Sequence, residues 1–152
     1  MDAIDARILR EVQDNGRISI ADLAERVGLS ATPCARRLER LQARGVITGF
    51  GARVDAAKLG LPVTIFVSVE LDRQEQDAIA AFERTVGRFE EVMDCYLMTG
   101  SRDILMRIVA ADLAAFDDFL ENRLMRVKGI RNMRSNFALR SMISRVAVPV
   151  GR

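Results

Sequence analysis

The sequence predicts an α+β chain in two parts: a winged helix-turn-helix unit, then a ferredoxin-like βαββαβ unit. Three observations predict it. Apolar residues recur at helical spacing through the first 43 residues, punctuated by "DNG" at 14–16 and by Gly28 and Gly45. From residue 63 the texture becomes β-rich, and a strand–helix–strand pattern occurs twice. The charge is also divided. Residues 1–54 hold nine arginines against seven Asp and Glu, whereas residues 55–152 hold 14 basic and 14 acidic residues. The expected boundaries are 1–54, a hinge at 55–62, and 63–152.

The helices of the first part follow in order. Ile4, Ile8, Leu9 and Val12 form one apolar stripe. Ser19 starts a second helix, with Asp22 as the acidic half of a capping box and Ile20, Leu23, Ala24 and Val27 facing inward. Gly28 ends it. Ser30 or Thr32 caps a third helix, and Pro33 suits its first turn. Cys34, Leu38 and Leu41 form its inner stripe, and Gly45 stops it. "VITGFGARVD" then reads as a short strand or wing.

Two helices joined by a short glycine-containing turn form a helix-turn-helix, whose second helix enters the DNA major groove. Small Ala24 lets the helices approach, and Gly28 accepts a left-handed backbone. The arginines sit on that second helix: in residues 34–54, Arg36, Arg37, Arg40, Arg44 and Arg53 oppose only Glu39. Such a cationic face is an electrostatic footprint for phosphate, and arginine also reads guanine bidentately. The candidate DNA-binding residues are Ser30, Thr32, Pro33, Ala35, Arg36, Arg37 and Arg40. Cys34 shares the inner stripe and reads as a small buried hydrophobe; a redox switch is the alternative.

The second part alternates clearly. "VTIFVSVEL" at 63–71 is a strand with Val63, Ile65, Val67, Val69 and Leu71 on one face. A helix follows with Ile79, Phe82 and Val86 inward, ending at Gly87. Strands are expected at 92–98 and 103–110, joined by a "TGSR" turn. Asp112 caps a helix with Leu113, Phe116, Leu120 and Leu124 inward, running to Gly129, and a last strand region starts at Ile130. Two helices on one face leave the other to Phe66 and to methionines such as Met93, Met98, Met106, Met133 and Met142. An apolar sheet face of that kind predicts association with a second copy.

Bulk properties exclude several function classes. With 152 residues, 49% hydrophobic and 29% charged, the chain is globular, and its net charge is only +2. It has no histidine, which removes the commonest metal ligand and general base. Cys34 and Cys95 fit neither a disulfide framework nor a metal spacing. No catalytic residues, metal or cofactor are expected. The N-terminus reads as an amphipathic helix instead of a signal peptide, and no apolar run nears 18 residues, so a cytoplasmic protein without membrane contact is expected.

"RISIADLAERVGLSATPCARRLERLQARGVITGF" resembles the helix-turn-helix of the Lrp/AsnC regulators, through its R-I-S entry, L-A-x-R-V-G-L-S, the T-P-C start of the recognition helix, R-x-x-R-L and G-x-I-x-G-F. The resemblance covers nearly the whole chain, since that family carries a C-terminal ferredoxin-like domain called RAM. It implies a transcription factor bound to double-stranded DNA. It also implies self-association as dimers, tetramers, octamers or larger discs, and a small-molecule effector, usually an amino acid, bound between RAM domains. The family's G-D-x-D-Y is here "GSRDI": Gly100 and Asp103 are kept, and Ser101 and Ile104 replace an aspartate and the tyrosine. The candidate effector residues are Met98, Thr99, Gly100, Ser101, Asp103 and Ile104, and Arg102 between them favours a carboxylate. The plain alternative is an ordinary hairpin turn. Two other functions compete with regulation: an architectural DNA-binding protein with little effector control, and a sirohaem-decarboxylase-like enzyme, which the absence of histidine opposes.

Overall fold

A computed structural model of the protein describes residues 1–100 and 102–151, which form two compact units. A helical unit takes Met1–Arg53 and the chain from Met142 onward; a sheet unit takes Val54–Ser141. The expected assignment of 63–152 to the sheet domain therefore differs at its end. The last residues pack with the helices, because backbone groups at 148 and 150 find partners on the first helix.

Helix α1 (Ala3–Asp14) begins at a reciprocal capping box. The Asp2 carboxylate accepts the N–H groups of Ile4 and Asp5 at 3.0 and 2.8 Å, and the Asp5 carboxylate accepts the Asp2 N–H at 3.2 Å. In α2 (Ile20–Val27) the Ser19 hydroxyl accepts the Asp22 N–H at 3.1 Å. Asp22 returns to the Ser19 hydroxyl, at 2.7 Å, and not to its N–H, so only half of the expected box forms. Gly28 ends α2 at φ 73°, a left-handed conformation that costs glycine little. Helix α3 (Ala31–Ala43) starts after Ser30, whose hydroxyl makes no cap bond. Ile8, Leu23, Val27, Cys34 and Leu41 close the core of this unit, and Cys34 is fully buried. Burial pushes its thiol pKa up, as for an inert packing group.

The expected strand or wing at 46–55 does not form a strand: the chain is turn to residue 47 and then irregular. A strand needs a ladder partner, and Gly49 and Gly51 contribute no side chain to hold one.

In the sheet unit, β1 (Val63–Leu71), β2 (Val92–Leu97), β3 (Ile104–Ala110) and β4 (Ile130–Phe137) form one antiparallel sheet in the order β2-β3-β1-β4. This is the expected ferredoxin-like arrangement, with α4 (Gln76–Val86) and α5 (Leu113–Asn122) as its helices. Ile65, Val67 and Val69 are fully buried, together with Met106 and Ile108. Phe82, Val86, Phe116 and Phe119 cover them.

Three details depart from the sequence reading. Met106 pairs with Val67 and Met133 with Val69, so both belong to the core face and not the open one. The open face is mixed: register places Thr64, Phe66, Ser68 and Glu70 beside Arg107, Arg134 and Asn136, with an Arg107–Asp94 ion pair across it. Helix α5 is shorter than expected. It stops at Asn122, Leu124 lies in a separate 3-10 turn (Leu124–Arg126), and Leu113 is exposed whereas Phe119, not expected inward, is buried.

Truncating Phe116 to Ala should therefore destabilise the sheet unit by about 3–5 kcal/mol, as for a buried aromatic. Leu113→Ala should change stability by no more than about 0.5 kcal/mol. Urea unfolding followed by circular dichroism measures both.

Candidate nucleic-acid interface and ligand loop

Helix α3 presents two different surfaces. At about 100° per residue, Thr32, Arg36, Glu39 and Arg40 project opposite Cys34 and Leu41. All four are exposed, as are Ser30 and Pro33, whereas Ala35 is half-buried on the flank. Among the described residues, no carboxylate lies within ion-pair reach of Arg36 or Arg40. Their guanidinium groups are free to meet phosphates or base edges.

Arg37 is different. Its Nη1 lies 2.7 Å from Asp2 Oδ2 and 2.8 Å from Asp5 Oδ1, bridging the capping box of α1. Asp5 is only 5% exposed. Burial alone would push its carboxyl pKa up. The Arg37 guanidinium and the Asp2 N–H outweigh that and hold it below the usual carboxylate range. Asp2 is held low by the Asp5 N–H and then by Arg37, and the two carboxylates raise the pKa of Arg37. The geometry thus removes Arg37 from the outer face, where the sequence placed it, and makes it the tie between α1 and α3. Arg37 sits about 60° from Cys34 around the helix, at the rim of the buried stripe. The signal missed in the sequence was the pair of aspartates at the start of α1, Asp2 at the N-cap and Asp5 in the first turn.

The loop between β2 and β3 is built around Asp103, which is 8% exposed. Its Oδ2 accepts the Leu71 N–H and its Oδ1 accepts the Gln74 side-chain amide, each at 2.7 Å. Its backbone N–H donates to Val69 O at 3.0 Å, and its carbonyl accepts the Met98 N–H at 2.8 Å. Asp103 therefore pins the end of β1 to the hairpin, and sequence reasoning missed its partner Gln74. Met98, Thr99 and Gly100 are exposed at the rim, with Gly100 at φ 120°, a conformation glycine alone takes readily. Ile104 is buried in the sheet core and does not line the rim. Arg102 is bound to Glu70 at 2.9 Å instead of waiting for a carboxylate ligand. Ser101 lies outside the described residues. Among the described residues, no group of three His, Cys, Asp or Glu could hold a metal, and no helix is long and apolar enough to cross a membrane.

Comparison with known proteins agrees with this two-part reading. Residues 1–48 match a winged helix-turn-helix DNA-binding domain, and residues 64–148 match the Lrp/AsnC ligand binding domain. A Bkd operon transcriptional regulator from Pseudomonas aeruginosa is 43% identical, over 99% of this chain and 98% of its own length. A leucine-responsive regulatory protein from Rhizobium meliloti is 38% identical over 93% of this chain and 91% of its own. A transcriptional regulator from Neisseria meningitidis, crystallised as a complex with L-Met, superposes with a TM-score of 0.92 at 32% identity, covering 98% of this chain and 96% of that one. The chain belongs to the Lrp/AsnC family of DNA-binding transcriptional regulators; these relatives are regulators and not enzymes.

Three outcomes follow from the geometry of α3. Arg36→Ala and Arg40→Ala should each lower the slope of log affinity against log salt by roughly 0.9 for every phosphate that the variant no longer neutralises. Arg37→Met should leave that slope unchanged while lowering the melting temperature. The Asp2 and Asp5 carboxyls are held low in the folded state, so the stability they confer is complete above the ordinary carboxylate pKa of about 3.9. It is lost as the pH falls below that value. Thermal melts across pH 2–6 should show a steeper acid loss in the parent than in Asp5→Asn.

Proposed function

We propose that this member of the Lrp/AsnC family reads a specific DNA sequence through the outer face of α3, using Ser30, Thr32, Pro33, Arg36 and Arg40, with Ala35 at its edge. The observation that carries the reading is the division of labour on α3. Two arginines without an ion pair among the described residues face solvent beside small polar residues, while the third is consumed in holding the helix in place. Specific side-chain readout needs a fixed helix, and diffuse phosphate binding does not.

Control is assigned to an amino acid, an apolar one such as L-methionine, bound at the rim formed by Met98, Thr99 and Gly100 over Asp103, with Ser101 as a further ligand contact. The match to a ligand-binding domain and the Neisseria regulator's L-Met complex support this. The site takes shape between copies, as a dimer or larger closed assembly joined through the sheet unit in the cytoplasm. The mixed open face, with Phe66, Tyr96 and the Arg107–Asp94 pair, suits a polar and apolar self-complementary contact.

Fluorescence anisotropy with a duplex selected by the protein from a random pool, against an unselected duplex, tests the DNA reading. The selected duplex should bind at least about 1,000-fold more tightly, within the usual specificity range. Equal affinity would indicate an architectural role. L-methionine should raise the melting temperature of the parent and shift DNA affinity. Sedimentation should show an assembly of two or more chains, and a 16.9 kDa species at micromolar concentration would contradict it.

A further inference from the structure

The chain from Met142 onward belongs to the helical unit, although it is reached only by passing through the sheet unit. It is held along the C-terminal half of α1. The Gln13 side-chain amide makes a matched pair with Val148: its Nε2 donates to Val148 O at 3.2 Å, and its Oε1 accepts the Val148 N–H at 2.7 Å. These are the two bonds that a neighbouring strand would supply. Arg10 Nη1 donates to Val150 O at 3.3 Å, and Val150 packs against the core around Ile8 and Leu9. Among the described residues, no hydrogen bond or ion pair joins the DNA-reading residues to this segment.

The other end of α1 carries Asp2 and Asp5, the two carboxylates that hold Arg37 of α3. A twelve-residue helix is thus gripped at both ends, by the tail at positions 10 and 13 and by the recognition helix at positions 2 and 5. A continuous helix is stiff over this length, about 18 Å, so a displacement at one end is delivered to the other.

We propose that the C-terminal tail is a positioning element for DNA reading: it fixes α1, and α1 sets the pose of α3 through Asp2, Asp5 and Arg37. Gln13 and Val148 are its positioning residues. The chain leaves the helical unit after Arg53 and re-enters it at Met142, so the tail gives the ligand-binding unit a second covalent handle on the recognition helix. The first is the segment 54–62. The inference rests on α3 as the DNA-reading helix.

Binding of the full chain to a duplex that the parent selects from a random pool tests it, using Gln13→Ala and Val148→Pro, which each remove part of the clasp at the surface. Both should weaken affinity by roughly 2- to 10-fold, the equivalent of one or two modest hydrogen bonds. The salt slope should stay that of the parent, because every phosphate keeps its cationic partner. In an Arg37→Met background, Gln13→Ala should add no further weakening, since the two act in series. Gln13→Glu keeps the acceptor for the Val148 N–H and should give an intermediate loss; it supplies the reading if Gln13→Ala melts below the assay temperature. Parental affinity in both folded clasp variants would overturn the proposal. So would a reduced slope, which would make the tail part of the DNA interface, or full additivity with Arg37→Met. Arg36→Ala run alongside separates the two readings: if it leaves the slope unchanged, the assignment of α3 fails and not the role of the tail.

Discussion

The arrangement of the helical unit depends on one guanidinium shared by two carboxylates. Arg37 carries its charge at the rim of a buried stripe, next to Asp5, which is almost shut off from water. A lone buried carboxylate would be costly, and Arg37 together with the Asp2 N–H meets that cost. The same ion pair ties α3 to α1, and Arg36 and Arg40 point outward from the helix it holds. A cluster of arginines on one helix is therefore not one binding surface. One member ties two helices together, and Arg36 and Arg40 stay exposed to solvent.

The sheet unit repeats this device. Asp103 is buried just before the start of β3 and satisfied by a backbone N–H of β1 and by Gln74. A carboxylate that closes a hairpin in this way gives the exposed rim of Met98, Thr99 and Gly100 a fixed floor. Both candidate sites thus stand on a buried aspartate with its hydrogen bonds made. Ion pairs at the surface, such as Arg26 with Glu11, have no comparable leverage, because solvent screens them.

Much of this was legible in the sequence, for reasons that can be stated. Period-two alternation in 63–71 and the glycine after Val27 act locally, so β1 and the turn of the helix-turn-helix appear where expected. Cys34 belongs to the core because it shares a stripe with Leu38 and Leu41. What was illegible depends on partners distant in sequence. Nothing near Arg37 announces Asp2 and Asp5, over thirty residues away, and nothing near Val148 announces Gln13. Leu113 opens α5 and stays exposed, while Phe116 and Phe119 make up its buried side, an arrangement set by packing against the sheet. The face taken by Met106 follows from register with Val67, which is set by pairing and not by composition.

The central claim is that Arg37 is held by Asp2 and Asp5 at the rim of the helical core, while α3 offers Arg36 and Arg40 to DNA. Side-chain guanidinium NMR of the full chain during titration with a selected duplex tests it most directly. The account predicts that Arg36 and Arg40 shift and slow their exchange on binding, while Arg37, protected in the free protein by Asp2 and Asp5, keeps its position. An Arg37 resonance that exchanges freely without DNA, and moves with that of Arg36 when DNA is added, would contradict it.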